Sequence, residues 1–169
     1  MHAFSDLVQR STAFSLNALE VAQNNVIEGF QTSAATSLVK AAQMIQLQKA
    51  ISAVGMFSMF DAILQDQLQC PNGFKGAAAL LEAKGESLLN ERFSDIQLAI
   101  NVLKHGNGRS YDALVQKAGT LPFRVKQPGE AFFNEGDVDE VSTLVEVDDS
   151  FVLLCAEVIH DVSVSILGA

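Results

Sequence analysis

The chain has few of the residues that interrupt helices or cross-link loops, with three Pro, two Cys and one Tyr among 169 residues. No Pro precedes Pro71, and Ala, Leu, Gln, Met and Glu dominate the first 120 residues, which favours an α-helical body. Cys70 and Cys155 could pair in principle, but no apolar signal segment precedes them and Cys155 lies in an apolar run. We therefore expect free, buried thiols in a reducing cytosol.

Uninterrupted apolar runs of the length that crosses a membrane, about 18 residues, are also missing from the sequence. Hydrophobic residues nevertheless make up 49% of the chain, enough to bury one substantial core. These features predict a single α-helical domain over residues 1–169, a cytoplasmic location and no contact with a membrane.

Positive charge is scarce and unevenly placed in this chain, whose net charge is -9. Residues 84–129 carry seven Lys and Arg against four Asp and Glu, whereas residues 130–169 carry ten acidic residues and no Lys or Arg. An acidic chain is a poor generic binder of nucleic acid, because attraction to phosphate scales with clustered cations, so no DNA binding is expected. Two interpretations of the basic middle segment stay open: loose pairing with the acidic tail, or a local anion site.

Apolar residues recur at spacings of three and four over four long blocks, which predicts amphipathic helices. The blocks are residues 5–32, 36–69, 87–104 and 148–166. Ser5 or Asp6 is a candidate cap for the first helix, and Asp148 or Asp149 suits the start of the last. We interpret the second block as the central, most buried helix. The last block is interpreted as a helix, although its β-branched residues would also suit a strand.

Shorter features separate these blocks. Residues 70–73, Cys-Pro-Asn-Gly, predict a turn that ends the second helix, because Pro cannot continue it. Short helices are expected at residues 76–84 and 111–118. Residues 121–126 alternate at period two, which predicts a short extended arm followed by a turn at residues 127–129. The whole pattern predicts an all-α fold: an antiparallel bundle of four to five helices with this arm.

The segment of residues 101–111 concentrates polar side chains where an apolar helix meets a loop. Asn101 and His105 are four residues apart, so they would share one helix face about 6 Å apart along the axis. Gly106 would end this helix, and Lys104 and His105 would lie near the negative end of its dipole. Because its charge changes near neutral pH, His105 could act as an acid, a base or an anion contact.

Two interpretations of this segment remain open. In one, the side chains join the loop amides of residues 106–110 to bind an anion or RNA. The candidate residues for that contact are Lys104, His105, Arg109, Ser110 and Tyr111. In the other, Asn101 and His105 hydrogen-bond the backbone at a helix end and the glycines only provide the turn.

Metal and cofactor chemistry are not indicated by the sequence. No His and Cys cluster has the spacing of a metal site, and no cofactor is expected. The acidic run at residues 135–140 lacks the spacing and the closing Glu of a calcium loop. His160 lies in an apolar helix, so we interpret it as a satisfied core or edge histidine.

The run Asn101-Val102-Leu103-Lys104-His105, at the end of the third long predicted helix, resembles the motif of the HEPN superfamily of compact α-helical domains. The signature of that family is Arg, a polar residue that is often Asn, three further residues and His. The Asn-x-x-x-His half is present here, whereas Ile100 occupies the Arg position. The resemblance implies that Arg and His meet across a dimer interface to cleave RNA, and that members lacking the motif act as binding or regulatory modules.

Three functional hypotheses follow. The first is a non-catalytic, homodimeric HEPN-like module that regulates through protein or RNA contacts. The second is a degenerate, metal-independent HEPN-type endoribonuclease with catalytic His105 and Asn101, in which Arg109 or Arg92 replaces the missing Arg. The third is a structural or small-ligand-binding bundle. We favour the first, because Ile100 stands where the chemistry needs a cation and because the net charge opposes tight RNA binding. The apolar stripes of the first two blocks predict a two-fold dimer.

Overall fold

The computed structural model describes residues 3–130, 141 and 143–168. Over these residues the chain is all-α, as predicted, and forms six helices. In chain order the helices are α1 (Phe4–Thr32), α2 (Thr36–Leu68), α3 (Gly73–Ala83), α4 (Ser87–His105), α5 (Arg109–Lys117) and α6 (Asp149–Leu167). This is more than the four to five helices predicted, because both short segments form regular helices. The acidic run at residues 135–140 lies outside the described residues.

α3 begins three residues earlier than predicted, inside the segment that we interpreted as a turn. The Asn72 side chain caps it by accepting a hydrogen bond from the Lys75 amide at 2.8 Å. Gly73 allows the first turn of α3 to approach α2 closely, since a Cβ at this position would lie 2.5 Å from the Asp61 carbonyl oxygen. The Cys-Pro-Asn-Gly run therefore ends α2 and starts α3 with almost no linker.

The ends of the other helices follow the sequence pattern with small differences. Asp148 caps α6 by accepting a hydrogen bond from the Phe151 amide at 2.7 Å, which confirms the predicted helix start. α1 begins at Phe4, so Ser5 and Asp6 lie inside its first turn and do not cap it. α5 begins at Arg109 rather than Tyr111.

The most buried helix is α6, not α2 as the sequence suggested. Eight of the 19 residues of α6 are buried, against six of the 33 residues of α2. α2 and α6 each pack against four other helices, but the buried residues of α2 all lie at and beyond Ile45. Side chains of Phe57, Phe60 and Phe93 are fully buried in edge-to-face and tilted contacts that join α2 to α4.

The predicted arm at residues 121–126 is extended and pairs with residues 143–147. Val125 and Val145 form an antiparallel bridge, flanked by a hydrogen bond from the Lys126 amide to the Leu144 carbonyl at 2.9 Å. The side chains of Phe123, Val125 and Val145 are buried and join the core. Phe123 packs edge-to-face on Phe151 with ring centroids 5.3 Å apart, so the arm is held against the first turn of α6.

Two of the described helices, α2 and α6, are long and apolar enough to cross a bilayer by length and composition. This is weak evidence, because a buried core helix passes the same test. Less than half of the apolar window of either helix is buried within the described chain.

Candidate functional site

α4 separates a buried face from a polar face at its carboxyl end. Ile96, Ala99, Ile100 and Val102 are buried in the core, whereas the Asn101, Lys104 and His105 side chains are exposed. The separation follows from the helical repeat, which turns positions 96, 99, 100, 102 and 103 toward the core and positions 101, 104 and 105 outward. The exposed side chains therefore project from a rigid, well-packed helix.

The helix end is closed by backbone rather than by the side chains of Asn101 or His105. Gly106, with φ of 72°, donates its amide to the Val102 carbonyl at 2.8 Å. Among the described residues, neither the Asn101 nor the His105 side chain has a hydrogen-bond partner. The interpretation that these two side chains hydrogen-bond the backbone at the helix end is therefore wrong.

The loop of residues 106–108 leads directly into α5, where the remaining candidate residues lie. Arg109 is exposed and Ser110 is partly exposed at the first turn of α5. The first backbone bond of this helix runs from the Asp112 amide to the Gly108 carbonyl at 3.0 Å, so the amides before Asp112 have no acceptor within the helix. We name Asn101, Lys104, His105, Arg109 and Ser110 the junction surface.

Tyr111 differs from the other candidates because it is buried. Its ring packs in the core, and its hydroxyl donates a hydrogen bond to the Lys126 carbonyl at 2.7 Å. That bond ties α5 to the extended arm. In this structure the Tyr111 hydroxyl holds two elements together and is not presented to an anion at the junction surface.

Ile100, at the position where the HEPN signature has Arg, is only 3% exposed and packs in the core. Arg92, one proposed replacement, lies 13 residues before His105, about 20 Å along the axis of α4. Its guanidinium lies 3.4 Å from Asp161 and 3.7 Å from Glu157, both on α6. Arg92 therefore cannot stand beside His105 in the same chain, while Arg109 follows His105 by only four residues.

Most cations of the basic middle segment already have anionic or carbonyl partners. Lys117 lies 2.6 Å from Asp95 and 3.0 Å from Glu91, and the hydrogen bond to Asp95 is the main cause that raises the pKa of Lys117. The pairing between Arg92 and α6 supports the interpretation that the middle segment pairs with the acidic tail. Further partners are Glu130 for Arg124 and the Ser165 carbonyl for Lys84.

Three cationic side chains of this segment have neither an ion-pair nor a carbonyl partner within the described part of the chain: Lys104, Arg109 and, on the extended arm, Lys126. Lys104 and Arg109 flank His105 in sequence and share its exposed position. The junction surface thus carries two of the three cations that the fold leaves without such a partner in this region.

A second feature, which the sequence did not reveal as a site, is a groove of about 410 Å³ between α1 and α2. Its lining is mostly apolar and includes Leu7, Leu16, Met56 and Met59. At its edge, the buried Lys49 ammonium lies 2.8 Å from Asp149 at the start of α6. The sequence signal for this groove was the periodic apolar residues of α1 and α2. Periodicity alone assigns such residues to a core.

The other side chains that the sequence singled out are the two cysteines and His160. Cys70 and Cys155 are free thiols, as predicted; Cys155 is buried, which raises the pKa of its thiol, and Cys70 is partly buried. The buried Nδ1 of His160 has no hydrogen-bond partner in the described residues, so His160 is not the satisfied histidine we expected. Among the described residues, no group of three His, Cys, Asp or Glu side chains could hold a metal ion.

No protein-family model, curated protein or solved structure matches this chain. The resemblance to the HEPN superfamily therefore depends on Asn101, His105 and the helical architecture alone.

Proposed function

We propose that this chain is a non-catalytic HEPN-like helical module that regulates by binding an anionic group of an RNA or protein partner at the junction surface. The observation that supports this proposal most is the exposure of Lys104, His105 and Arg109 without a counterion, in a chain of net charge -9. Exposed cations beside helix amides without acceptors are a suitable site for a phosphate or a carboxylate.

The absence of catalysis is proposed from the position of Ile100. Cleavage of RNA needs a cation to stabilise the charge that develops on the phosphate, and this electrostatic contribution is usually the largest. Ile100 has no charge and is buried in the core, and Arg92 is paired with acidic residues of α6. Neither position therefore supplies that cation. The remaining candidate, Arg109, leaves the degenerate endoribonuclease as the second function to test.

The test measures binding to a single-stranded RNA and to an acidic peptide by the purified protein and by a Lys104→Ala, His105→Ala, Arg109→Ala variant. The variant is expected to lose most of its affinity for one of these probes. Wild-type binding should also weaken as salt is added, because exposed charges are screened over about 8–10 Å near physiological ionic strength. Lys40→Ala with Lys75→Ala is the matched control, since it removes two exposed positive charges from other helices.

The two probes separate the possible partners. Loss of RNA binding in the triple variant identifies an RNA contact, and loss of peptide binding identifies a protein contact. Equal binding by wild type and triple variant, at unchanged helicity, would contradict the proposal. Cleavage of the RNA by wild type, abolished by His105→Ala alone, would instead establish the endoribonuclease.

A further inference from the structure

The outer faces of α1 and α2 carry exposed apolar stripes. On α1, Leu7, Phe14 and Val21 recur every seven residues, a spacing that keeps side chains on one side of a helix. On α2, the stripe has spacings of three, four and eight residues. Its apolar members are Met44, Leu47, Ile51 and Met59. Every member of both stripes is at least 47% exposed, although soluble helices normally turn such stripes inward.

Both stripes face away from the core, because their members are exposed while other residues of the same helices are buried. α1 and α2 are joined by the short link of residues 33–35, so they run antiparallel. Leu7 and Met59 belong to the stripes, and both also line the groove between the helices. The stripes therefore adjoin the groove, and we name them together the hairpin face.

The hairpin face carries both a protruding side chain and a recess. Phe14 is 76% exposed on α1, one position before Ser15, which lines the groove. The recess is the 410 Å³ groove, and Gly55 on α2 leaves part of it open because nothing lies within 4 Å of the position a Cβ would take. A surface with a projection and a recess side by side can match a second copy of itself by two-fold symmetry.

The size of the hairpin face suits a small dimer interface. The groove and the stripe extend along α1 from Phe4 to Val21, about 27 Å, and two packed helices present a surface about 20 Å wide. The product, about 540 Å² for each copy and about 1,100 Å² for two, is just above the roughly 1,000 Å² expected of a biological interface. Two such helix pairs stacked face to face make a four-helix bundle, which covers all four stripes.

We propose that two copies of this chain associate through the hairpin face, with Phe14 of each copy inserted into the α1–α2 groove of the other. This interface uses other residues than the junction surface, since the junction residues lie on α4 and α5 and none of them lines the groove or belongs to the stripes. The dimer therefore carries two junction surfaces, both left open, and the proposal does not depend on what they bind.

The test measures the mass of the full chain in solution by sedimentation at micromolar concentration, together with three variants. Wild type is expected at twice 18.1 kDa. Phe14→Glu removes the projection and Gly55→Leu fills the groove; each is expected to raise the dimer dissociation constant about 30-fold or more, because central interface side chains dominate binding. Leu88→Glu is the matched control, since Leu88 is 78% exposed on α4, outside the hairpin face, and this variant should remain dimeric.

Circular dichroism checks that each variant keeps its helicity. We expect the helicity to be kept, because the Phe14 side chain is exposed and nothing lies within 4 Å of a Cβ at Gly55. A wild-type particle of 18.1 kDa, or a dimer that survives both Phe14→Glu and Gly55→Leu, would overturn the proposal. Survival of Gly55→Leu alone would remove the groove from the interface, and this also overturns it. A monomer that binds a fluorescent fatty-acid probe, with binding lost in Gly55→Leu, would assign the groove to a small amphiphile instead.

Discussion

α2 and α6 are both long, apolar helices, and the fold treats them differently. Both pack against four other helices, but eight of the 19 residues of α6 are buried against six of the 33 of α2, which leaves Met44, Leu47 and Ile51 exposed. An apolar stripe in the sequence predicts that a helix face is buried, but it does not show whether the same chain or a second molecule buries it. In α6 the cover comes from the same chain. For the exposed stripe of α2, the proposed dimer would provide it.

The sharpest test of this contrast compares the same substitution in both helices. Ile159 of α6 is fully buried and Ile51 of α2 is 53% exposed. We expect Ile159→Ala to lower the free energy of unfolding by about 2–5 kcal/mol, because it leaves a cavity in the core. Ile51→Ala should cost less than about 1 kcal/mol, because an exposed side chain loses little burial.

The measurement is urea unfolding followed by circular dichroism, at a protein concentration low enough to keep the chain monomeric. At higher concentration, the cost of Ile51→Ala should increase if the hairpin face is an interface, while that of Ile159→Ala should keep its value. Equal costs for the two substitutions in the monomer would show that α2 is as buried as α6 and would contradict the contrast.

A smaller effect is expected at the ion pair that joins the two helices. The Lys49 side chain is buried on α2, and its partner Asp149, in the first turn of α6, is about half exposed. Asp149→Asn leaves the buried ammonium without its counterion and is expected to destabilise the fold by about 1–3 kcal/mol, less than a fully buried pair would cost. Lys49→Met should cost less, because it removes the buried charge and keeps the apolar stem.

Thermal unfolding of the two single variants and of the double variant measures the interaction free energy between Lys49 and Asp149. The double variant should be no less stable than Asp149→Asn alone, since it no longer contains the unpaired ammonium. Additive losses would mean that Lys49 and Asp149 do not interact, and that α2 and α6 are joined by apolar packing alone.

The sequence predicted the helices better than it predicted their surroundings. Local spacing, caps and the Pro71 interruption are properties of neighbouring residues, so all six helical segments could be located before the structure was known. Whether α2 is covered, or Arg92 is paired, depends on residues far away in the chain. The ion pairs of Arg92 join positions separated by more than sixty residues, and no local pattern indicates them.

The candidate site shows the same limit. The exposure of Asn101, Lys104 and His105 follows from the helical repeat of α4, so the sequence could place them on one polar face. Tyr111 was grouped with them because it is polar and close in sequence. Its spacing to Leu114 on the buried side of α5 was the signal that it faces the core, and its hydroxyl partner at Lys126 could not be found without the fold.

The smallest effect is expected where a partly exposed ammonium helps to attach a helix. Lys117 connects α5 to Asp95 and Glu91 of α4. These contacts, led by the hydrogen bond to Asp95, raise the pKa of Lys117 above its ordinary value of 10.5, so the folded state holds this proton more tightly than the unfolded state. The stabilisation is therefore complete below pH 10.5 and is lost as the pH rises through the higher folded value.

Lys117→Met should cost about 1 kcal/mol at pH 7, because the ammonium is partly exposed. This difference from wild type in urea unfolding should shrink above pH 10.5. Lys75→Met, which removes an exposed lysine with no ion pair in the described residues, should show no such pH dependence. A cost for Lys117→Met that stays constant across this pH range would mean that α5 is attached by the methylene stem and the apolar contacts of Leu114, as α6 is, and not by charge.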